Sequence, residues 1–225
     1  MSLLHRVEDY TQDMIETLKN LIAIPSIKDL PADNAPFGLE IGRALESVLT
    51  WGEVEGFRAQ NLSGYAGDLE FGAGDETVGV LLHLDVVPPG DGWTYSPFSG
   101  VLKEGRIYGR GAVDDKGPAV AVMYALKALK DERVRLKRKI RLIFGCDEES
   151  GWACMEHYFQ QKERPDFGFA PDGDFPLINC EKGLMGIVLS GEPPEGSDSE
   201  PQIKWIKGGT RRNIVPDSAE AALSV

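Results

Sequence analysis

The sequence is poor in cysteine and has no long apolar segment. Its three cysteines, Cys146, Cys154 and Cys180, are odd in number and show no CxxC spacing, so no disulfide framework is predicted and reduced thiols are expected. Cys146 follows a predicted strand beside several acids, where it is either a soft metal ligand or, as we favour, a small buried apolar residue. No apolar run approaches the roughly 20 residues of a membrane-spanning helix. The N-terminal segment is amphipathic and acidic rather than signal-like, so we expect a cytoplasmic protein.

Positive charge is also scarce. The 225 residues include 24 Lys and Arg against 36 Asp and Glu, which gives a net charge of -12. Nucleic acids and anionic membranes are bound through basic patches, so neither is expected as a partner. A hydrophobic content of 42% is ordinary for a globular protein with one large or two modest domains.

The hydrophobic pattern alternates between helical and strand-like segments. One helix is predicted over residues 3–24, a second follows from residue 37, a third begins at Pro118, and a fourth covers about 151–162. A hairpin is predicted to turn at residues 103–105. Such alternation is typical of an α/β fold whose sheet is mostly parallel or mixed and is flanked by helices. Strands are predicted near residues 57–61, 65–71, 77–84, 140–145, 167–171, 184–190, 203–206 and 219–225.

Acidic and imidazole side chains follow several of these predicted strands, and one acid lies in a Gly-rich turn ahead of a helix. In open α/β sheets, ligands bind beyond the carboxyl ends of the strands. Segments distant in sequence therefore deliver oxygen and imidazole donors to one edge of one sheet, and such donors suit a site for divalent metal ions. The side chains concerned are His83, Asp85, Asp114, Glu148, Glu149 and Asp172.

Each of these signals also has a purely structural interpretation. His83 could be a core histidine that is satisfied by Asp85. Asp114 could cap the helix that begins near Pro118. Residues 148–149 could open an exposed helix, where acids suit the helix dipole. Asp172, between a proline and a glycine, could simply form a turn.

Taken together, the motifs indicate one protein family. HLDVVPPGDGW, PFSG, GRGAVDDKGP, DEESGW and FAPDGDFP resemble the co-catalytic zinc peptidase family of glutamate carboxypeptidase, aminoacylase and acetylornithine deacetylase, and most of all its PepV-type bacterial dipeptidases. The similarity covers nearly the whole chain. It implies a zinc-exopeptidase-like catalytic domain over residues 1–183, lacking its C-terminal part, and the first strands of a second, α+β lid domain over residues 184–225.

The resemblance also implies a metal centre with two zinc ions. His83 and Asp172 would bind one zinc and Glu149 the other. Asp114 would bridge them, and the peptide bond that follows Asp114 would be cis. Cobalt or manganese would suit the same carboxylate and imidazole ligands.

The remaining roles follow from the same resemblance. Asp85 would orient His83, Glu148 would act as general base and later proton donor, and Asn213 would reach the substrate. The implied reaction is hydrolysis of a small peptide, a dipeptide, by a metal-activated water. The alternative is deacylation of an N-acyl amino acid such as acetylornithine or succinyl-diaminopimelate. Family members complete the second metal with a distal histidine, which neither His5 nor His157 matches, so we expect this chain alone to be an inactive fragment of the parent enzyme.

Overall fold

The computed structural model describes residues 2–174, 176–180, 182–183, 185, 187–188, 202–209 and 218–224. The chain divides into two compact units, Met1–Phe175 and Pro176–Val225. The predicted domain boundary between residues 183 and 184 stays a prediction. Within the described ranges, the helices are too short or too polar to cross a membrane.

The first unit contains five helices and seven strands among its described residues. The helix predicted over residues 3–24 is divided at Tyr10, where the backbone leaves the helical region and the side-chain hydroxyl donates to Asp131. The helices are α1 (Leu3–Asp9), α2 (Thr11–Ile22), α3 (Leu39–Val54), α4 (Lys116–Asp131) and α5 (Ala153–Gln161). The strands are β1 (Arg58–Leu62), β2 (Ala66–Phe71), β3 (Thr77–His83), β4 (Val101–Lys103), β5 (Arg106–Tyr108), β6 (Lys139–Gly145) and β7 (Phe167–Phe169).

Five of these strands form one mixed sheet in the order β1-β2-β6-β3-β7. β2 pairs antiparallel with both β1 and β6, whereas β3 runs parallel to both β6 and β7. Strands β4 and β5 form the predicted hairpin outside this sheet. The predicted α/β fold with a mixed, helix-flanked sheet is confirmed. Most of the predicted site residues lie at or just after the ends of its parallel strands.

The register of the parallel strands brings their C-terminal ends together. His83, the last residue of β3, lies opposite Gly145, the last residue of β6. On the other side, Val80 of β3 lies opposite Phe169, where β7 ends. The segments after Gly145 and Phe169 therefore leave the sheet at the edge where His83 lies.

Helices cover both faces of the sheet. Neighbouring residues of a strand point to opposite faces, and in β2 the side chain of Leu69 packs towards Gly52 of α3, while Asp68 accepts a hydrogen bond from Tyr158 of α5 at 2.8 Å. Helix α4 shares the α3 face, since the rings of Trp51 and Tyr124 lie 5.3 Å apart. The buried core thus lies in two layers with the sheet between them.

The contact between α3 and β2 depends on the missing side chain of Gly52. A Cβ at this position would lie 2.2 Å from a δ-methyl carbon of Leu69, which is fully buried. Gly52→Ala is therefore expected to lower the free energy of unfolding by about 1–3 kcal/mol, despite the better helix propensity of alanine. Urea denaturation measures the loss. In a Leu69→Ala background the same substitution should cost much less, and an equal cost in both backgrounds would contradict the proposed clash.

The described part of the second unit is a pair of antiparallel strands. Strands β8 (Gln202–Gly208) and β9 (Ala219–Ser224) pair with an irregularity between Ile203 and Trp205. Both agree with the strand-like segments predicted near residues 203–206 and 219–225. The strand predicted over residues 184–190 lies largely outside the described residues, and the assignment of this unit to a lid domain stays a prediction.

Candidate functional site

Three side chains from three separate segments converge at the carboxyl edge of the parallel strands. His83 Nε2 lies 2.9 Å from Asp114 Oδ1 and 3.4 Å from Asp172 Oδ2. One ligand atom from each residue falls within 4.8 Å of the others. The His83 side chain is only 3% exposed, whereas that of Asp114 is 58% exposed. The cluster therefore has a buried imidazole at its base and is open to solvent on the Asp114 side.

The chain reaches this cluster by three routes. His83 ends β3, and Asp172 lies three residues beyond the end of β7, so that continuing the register brings it level with His83. Asp114 comes from the turn between β5 and α4, and the Asp114–Asp115 peptide bond is cis, as the resemblance implies. Asp115, at the N-cap position of α4, makes no capping hydrogen bond; its Oδ2 accepts from the backbone N–H of His83 at 3.0 Å.

Asp85 connects the imidazole to the acidic turn after β6. Its backbone carbonyl lies 2.9 Å from His83 Nδ1, and because a carbonyl only accepts, Nδ1 must carry the proton. Its buried carboxylate lies 3.5 Å from the same nitrogen and accepts from the backbone N–H groups of Glu148 and Glu149 at 3.1 and 3.0 Å. The predicted contact between Asp85 and His83 is present, and the same residue also holds the turn that carries both glutamates.

We expect Asp85→Ala to lower the free energy of unfolding by about 2–4 kcal/mol. The substitution leaves the N–H groups of Glu148 and Glu149 without their carboxylate acceptor, and a buried donor that loses its partner costs about 1–3 kcal/mol. Urea denaturation gives the value, and amide hydrogen exchange at the two glutamates should accelerate. Asp85→Asn keeps one acceptor oxygen and should lose less stability. An Asp85→Ala protein with an unchanged unfolding midpoint would rule out this role.

Glu148 and Glu149 lie in a half-buried turn rather than on the exposed helix that was the alternative. Burial raises the pKa of Glu148, and the carboxylates of Asp172 and Asp85 add to the effect. Burial and repulsion from Asp114 likewise raise the pKa of Glu149. Glu148 shares a cavity of about 50 Å³ with His83 and Asp172. Glu149, the predicted ligand of the other zinc, is not among the three residues of the described cluster.

The turn is also held from outside by two residues to which the sequence analysis assigned no role. The buried Asp147 accepts a hydrogen bond from the Lys28 ammonium at 2.6 Å and another from the backbone N–H of Ala153 at 3.1 Å. The sequence signal for Asp147 is its place as the first acid of the DEE run. Lys28 lies in a polar loop with no sequence signal, because its partner is 119 residues away.

The charges of the cluster favour a cation at its centre. Burial disfavours a charged imidazole, but the hydrogen bond with Asp114 and the proximity of Asp85 outweigh it and raise the pKa of His83 to about 11. The hydrogen bond from His83, helped by Arg110, lowers the pKa of Asp114. Burial raises the pKa of Asp115 to about 7. In this state the extra proton on His83 supplies positive charge between carboxylates.

The donor set fits a divalent transition metal. The carbonyl contact keeps the proton on Nδ1, so the lone pair of Nε2 faces Asp114 and Asp172 once the second proton is lost. A neutral imidazole whose other nitrogen donates to an oxygen is the usual arrangement for a metal-ligating histidine. Together with carboxylate oxygens it is a ligand set that zinc, cobalt and manganese accept.

Comparison with known proteins identifies the family. A model of peptidase family M20/M25/M40 matches residues 79–211, more than half of the chain. The chain belongs to this family. The match spans the strands and turns that supply His83, Asp114 and Asp172, and the family predicted from the motifs is thereby confirmed, as is its place among the hydrolases.

Individual similar proteins agree with this assignment. YtjP of Bacillus subtilis (strain 168), a provisionally assigned dipeptidase, is 48% identical over 216 residues, which make up 94% of this chain and 46% of that protein. The crystal structure of human carnosine dipeptidase 1 matches with a TM-score of 0.65 at 27% identity, over 76% of this chain and 40% of that chain. Sso-CP2 from Sulfolobus solfataricus, described as an M20 family metallo-carboxypeptidase, matches with a TM-score of 0.60 at 26% identity, over 72% and 37%.

The chain spans about half the length of the curated relatives it matches. A metallopeptidase among the structural neighbours agrees with a divalent-metal site at the described cluster. Asn213, the predicted substrate-binding residue, lies outside the described residues.

Proposed function

We propose that this M20 chain supplies most of the catalytic centre of a zinc-dependent dipeptidase. The observation that carries the proposal is the convergence of His83, Asp114 and Asp172 within 4.8 Å at the sheet edge where Glu148 also lies. The provisional dipeptidase assignment of YtjP supports a dipeptidase over other amide hydrolases.

His83, Asp114 and Asp172 would hold one metal ion, and Glu149 would contribute to a second beside Asp114. Zinc is the metal we propose, with cobalt or manganese as substitutes. When bound, such ions polarise the scissile carbonyl and make water more acidic. The Asp114 carboxylate repels that of Glu149. This repulsion supports the proposal that both bind the second metal ion, because a cation between the two acids would relieve it.

Glu148 is the residue we assign to proton transfer. Glu148 lines the cavity shared with His83 and Asp172. Burial raises its pKa towards neutral pH, where the pKa of a general base and acid works best. It takes the proton of the attacking water and returns it to the leaving amine. Asp85 fixes the backbone from which Glu148 extends, at a donor–acceptor distance of 3.1 Å, so both transfers start from the same backbone position.

The free amine of a dipeptide distinguishes this substrate from the alternative, an N-acyl amino acid. The test is a panel in which each dipeptide is paired with the N-acetyl derivative of its C-terminal amino acid, assayed with the natural gene product that contains this chain. Release of amino acids from the free dipeptides, lost with a chelator and restored by zinc, supports the proposal. Hydrolysis of the acylated compounds alone would favour the deacylase.

A cytoplasmic location is also our proposal. It is supported by the cysteines, all three of which are free thiols, as expected in a reducing compartment.

A further inference from the structure

Lys116, the first residue of α4, has an unusual environment for a lysine. Its side chain is fully buried. The Nζ atom donates to the backbone carbonyls of Leu21 and Ile24, both at 2.8 Å. A lysine is almost never fully buried unless its head group is paired, and here its partners are one carbonyl in the last turn of α2 and one two residues beyond the end of that helix.

Lys116 adds a second donor to each of these two carbonyls. Helix α2 ends at Ile22, and the backbone N–H groups of Ile24 and Ser26 reach the carbonyls of Leu21 and Ile24 at 3.2 and 2.9 Å. A cation at this end also complements the helix dipole. The Lys116 ammonium therefore joins the C-terminal end of α2 to the N-terminal end of α4, across 92 to 95 residues of sequence.

The turn that carries Asp114 is packed directly on this connection. A Cβ on Gly111 would lie 3.0 Å from Cδ of Lys116, and a Cβ on Gly117 would lie 2.1 Å from the carbonyl oxygen of Ala112. At Gly111 the turn thus passes close to the aliphatic part of the lysine, and at Ala112 it passes close to the start of α4. Asp115 ties the same turn to β3 through the backbone N–H of His83.

We infer that Lys116 is a positioning residue, which fixes the turn between β5 and α4 on the end of α2 and so presents Asp114 to His83 and Asp172. The inference rests on the proposed function, because it takes Asp114 to be a metal ligand. Asp114 itself is largely exposed, and its one described hydrogen bond is to His83. Its position is therefore set by the backbone of the turn, which Lys116 and Asp115 attach to two different elements.

A lysine with only a structural role would affect unfolding and leave the metal affinity of the folded chain unchanged. Lys116→Met separates the two effects. Methionine keeps most of the aliphatic volume and removes both hydrogen bonds together with the buried charge. Lys127→Met is the matched control, because Lys127 also lies on α4 and bonds acidic side chains, Glu55 and Asp131, at a distance from the turn.

The experiment measures two properties of the 225-residue chain and its variants. The first is amide hydrogen exchange over residues 110–115 in the absence of metal, which reports on the turn alone. The second is the dissociation constant for cobalt(II), followed by its visible absorption. Supporting partners of metal ligands typically contribute 10- to 100-fold to metal affinity. We therefore expect Lys116→Met to speed exchange in the turn and to weaken cobalt binding by about 10- to 100-fold, with Lys127→Met unchanged in both.

The outcomes separate this inference from the proposed function. A folded Lys116→Met chain with wild-type cobalt affinity overturns the positioning role, whatever happens to its exchange rates. Absence of cobalt binding by the unsubstituted chain overturns the metal-centre proposal, and the positioning role falls with it. If Lys116→Met does not fold, Lys116→Gln takes its place, because the glutamine amide is one bond shorter than the lysine head group and cannot reproduce both 2.8 Å contacts. Weakened cobalt binding by that variant supports the inference, and wild-type binding overturns it.

Discussion

Replacing Glu148 by glutamine in the natural gene product is expected to lower kcat for dipeptide hydrolysis by about 100- to 10,000-fold, the usual contribution of a general acid–base group. Glutamine has nearly the shape of glutamate but cannot accept the proton of the attacking water. Glu148 lies beside the His83, Asp114 and Asp172 cluster and is not one of its three residues. Its loss should therefore reduce turnover and leave zinc content as it was.

Steady-state kinetics and zinc content of the same samples test this expectation. Glu156→Gln is the matched control, because Glu156 is an exposed residue of the neighbouring helix α5 and should retain full activity. A Glu148→Gln protein that keeps more than a tenth of the wild-type kcat would remove Glu148 from the mechanism. Loss of zinc together with activity would instead make Glu148 a metal ligand.

Asp114→Ala is expected to weaken zinc binding to the chain by at least about 100-fold. Loss of a ligand should cost more than loss of a partner that merely supports one, which is typically 10- to 100-fold. The fold should tolerate the change, because the Asp114 side chain is mostly exposed and bonds only His83 among the described residues. Zinc affinity can be measured by competition with a chromogenic chelator, and folding by circular dichroism.

The control for this substitution is Asp75→Ala. Asp75 is an exposed acid in the turn that leads into β3, at the opposite end of that strand from His83. Both substitutions change the net charge equally, so a general electrostatic effect on zinc would appear in both. Equal zinc affinities for the two variants would show that Asp114 does not bind the metal.

The residues of the candidate site could be predicted because the sequence shows where strands end. Short apolar runs followed by His83, Glu148 or Asp172 show where strands stop, and parallel strands stop at one edge. The motifs added Asp114, whose turn has no strand before it at that edge. Local sequence signals were sufficient to predict these residues, because each lies at the end of a strand or in a turn next to a helix.

The contacts that hold the site were not predictable in the same way. Asp85 accepts from the N–H groups of residues 148–149, Lys28 pairs with Asp147, and Lys116 donates to the end of α2. Each links segments separated by 60 residues or more in the chain, and no local pattern specifies the partner. A buried lysine in particular is indistinguishable in sequence from an exposed one at the start of a helix.

The helices and strands likewise have features that the local sequence predicts and features that depend on tertiary packing. The periodicity of residues 3–24 indicates a helix but not its interruption at Tyr10, whose hydroxyl bonds Asp131 on α4. The apolar run of residues 140–144 indicates a strand. Its central place in the sheet, antiparallel to β2 and parallel to β3, follows only from tertiary packing.

The most direct test of the metal centre is the zinc content of the purified 225-residue chain, measured by inductively coupled plasma mass spectrometry after dialysis against buffer free of metal and chelator. We predict at least one zinc ion per folded chain, held by His83, Asp114 and Asp172. A folded chain that retains no zinc after loading with a stoichiometric excess would contradict the account.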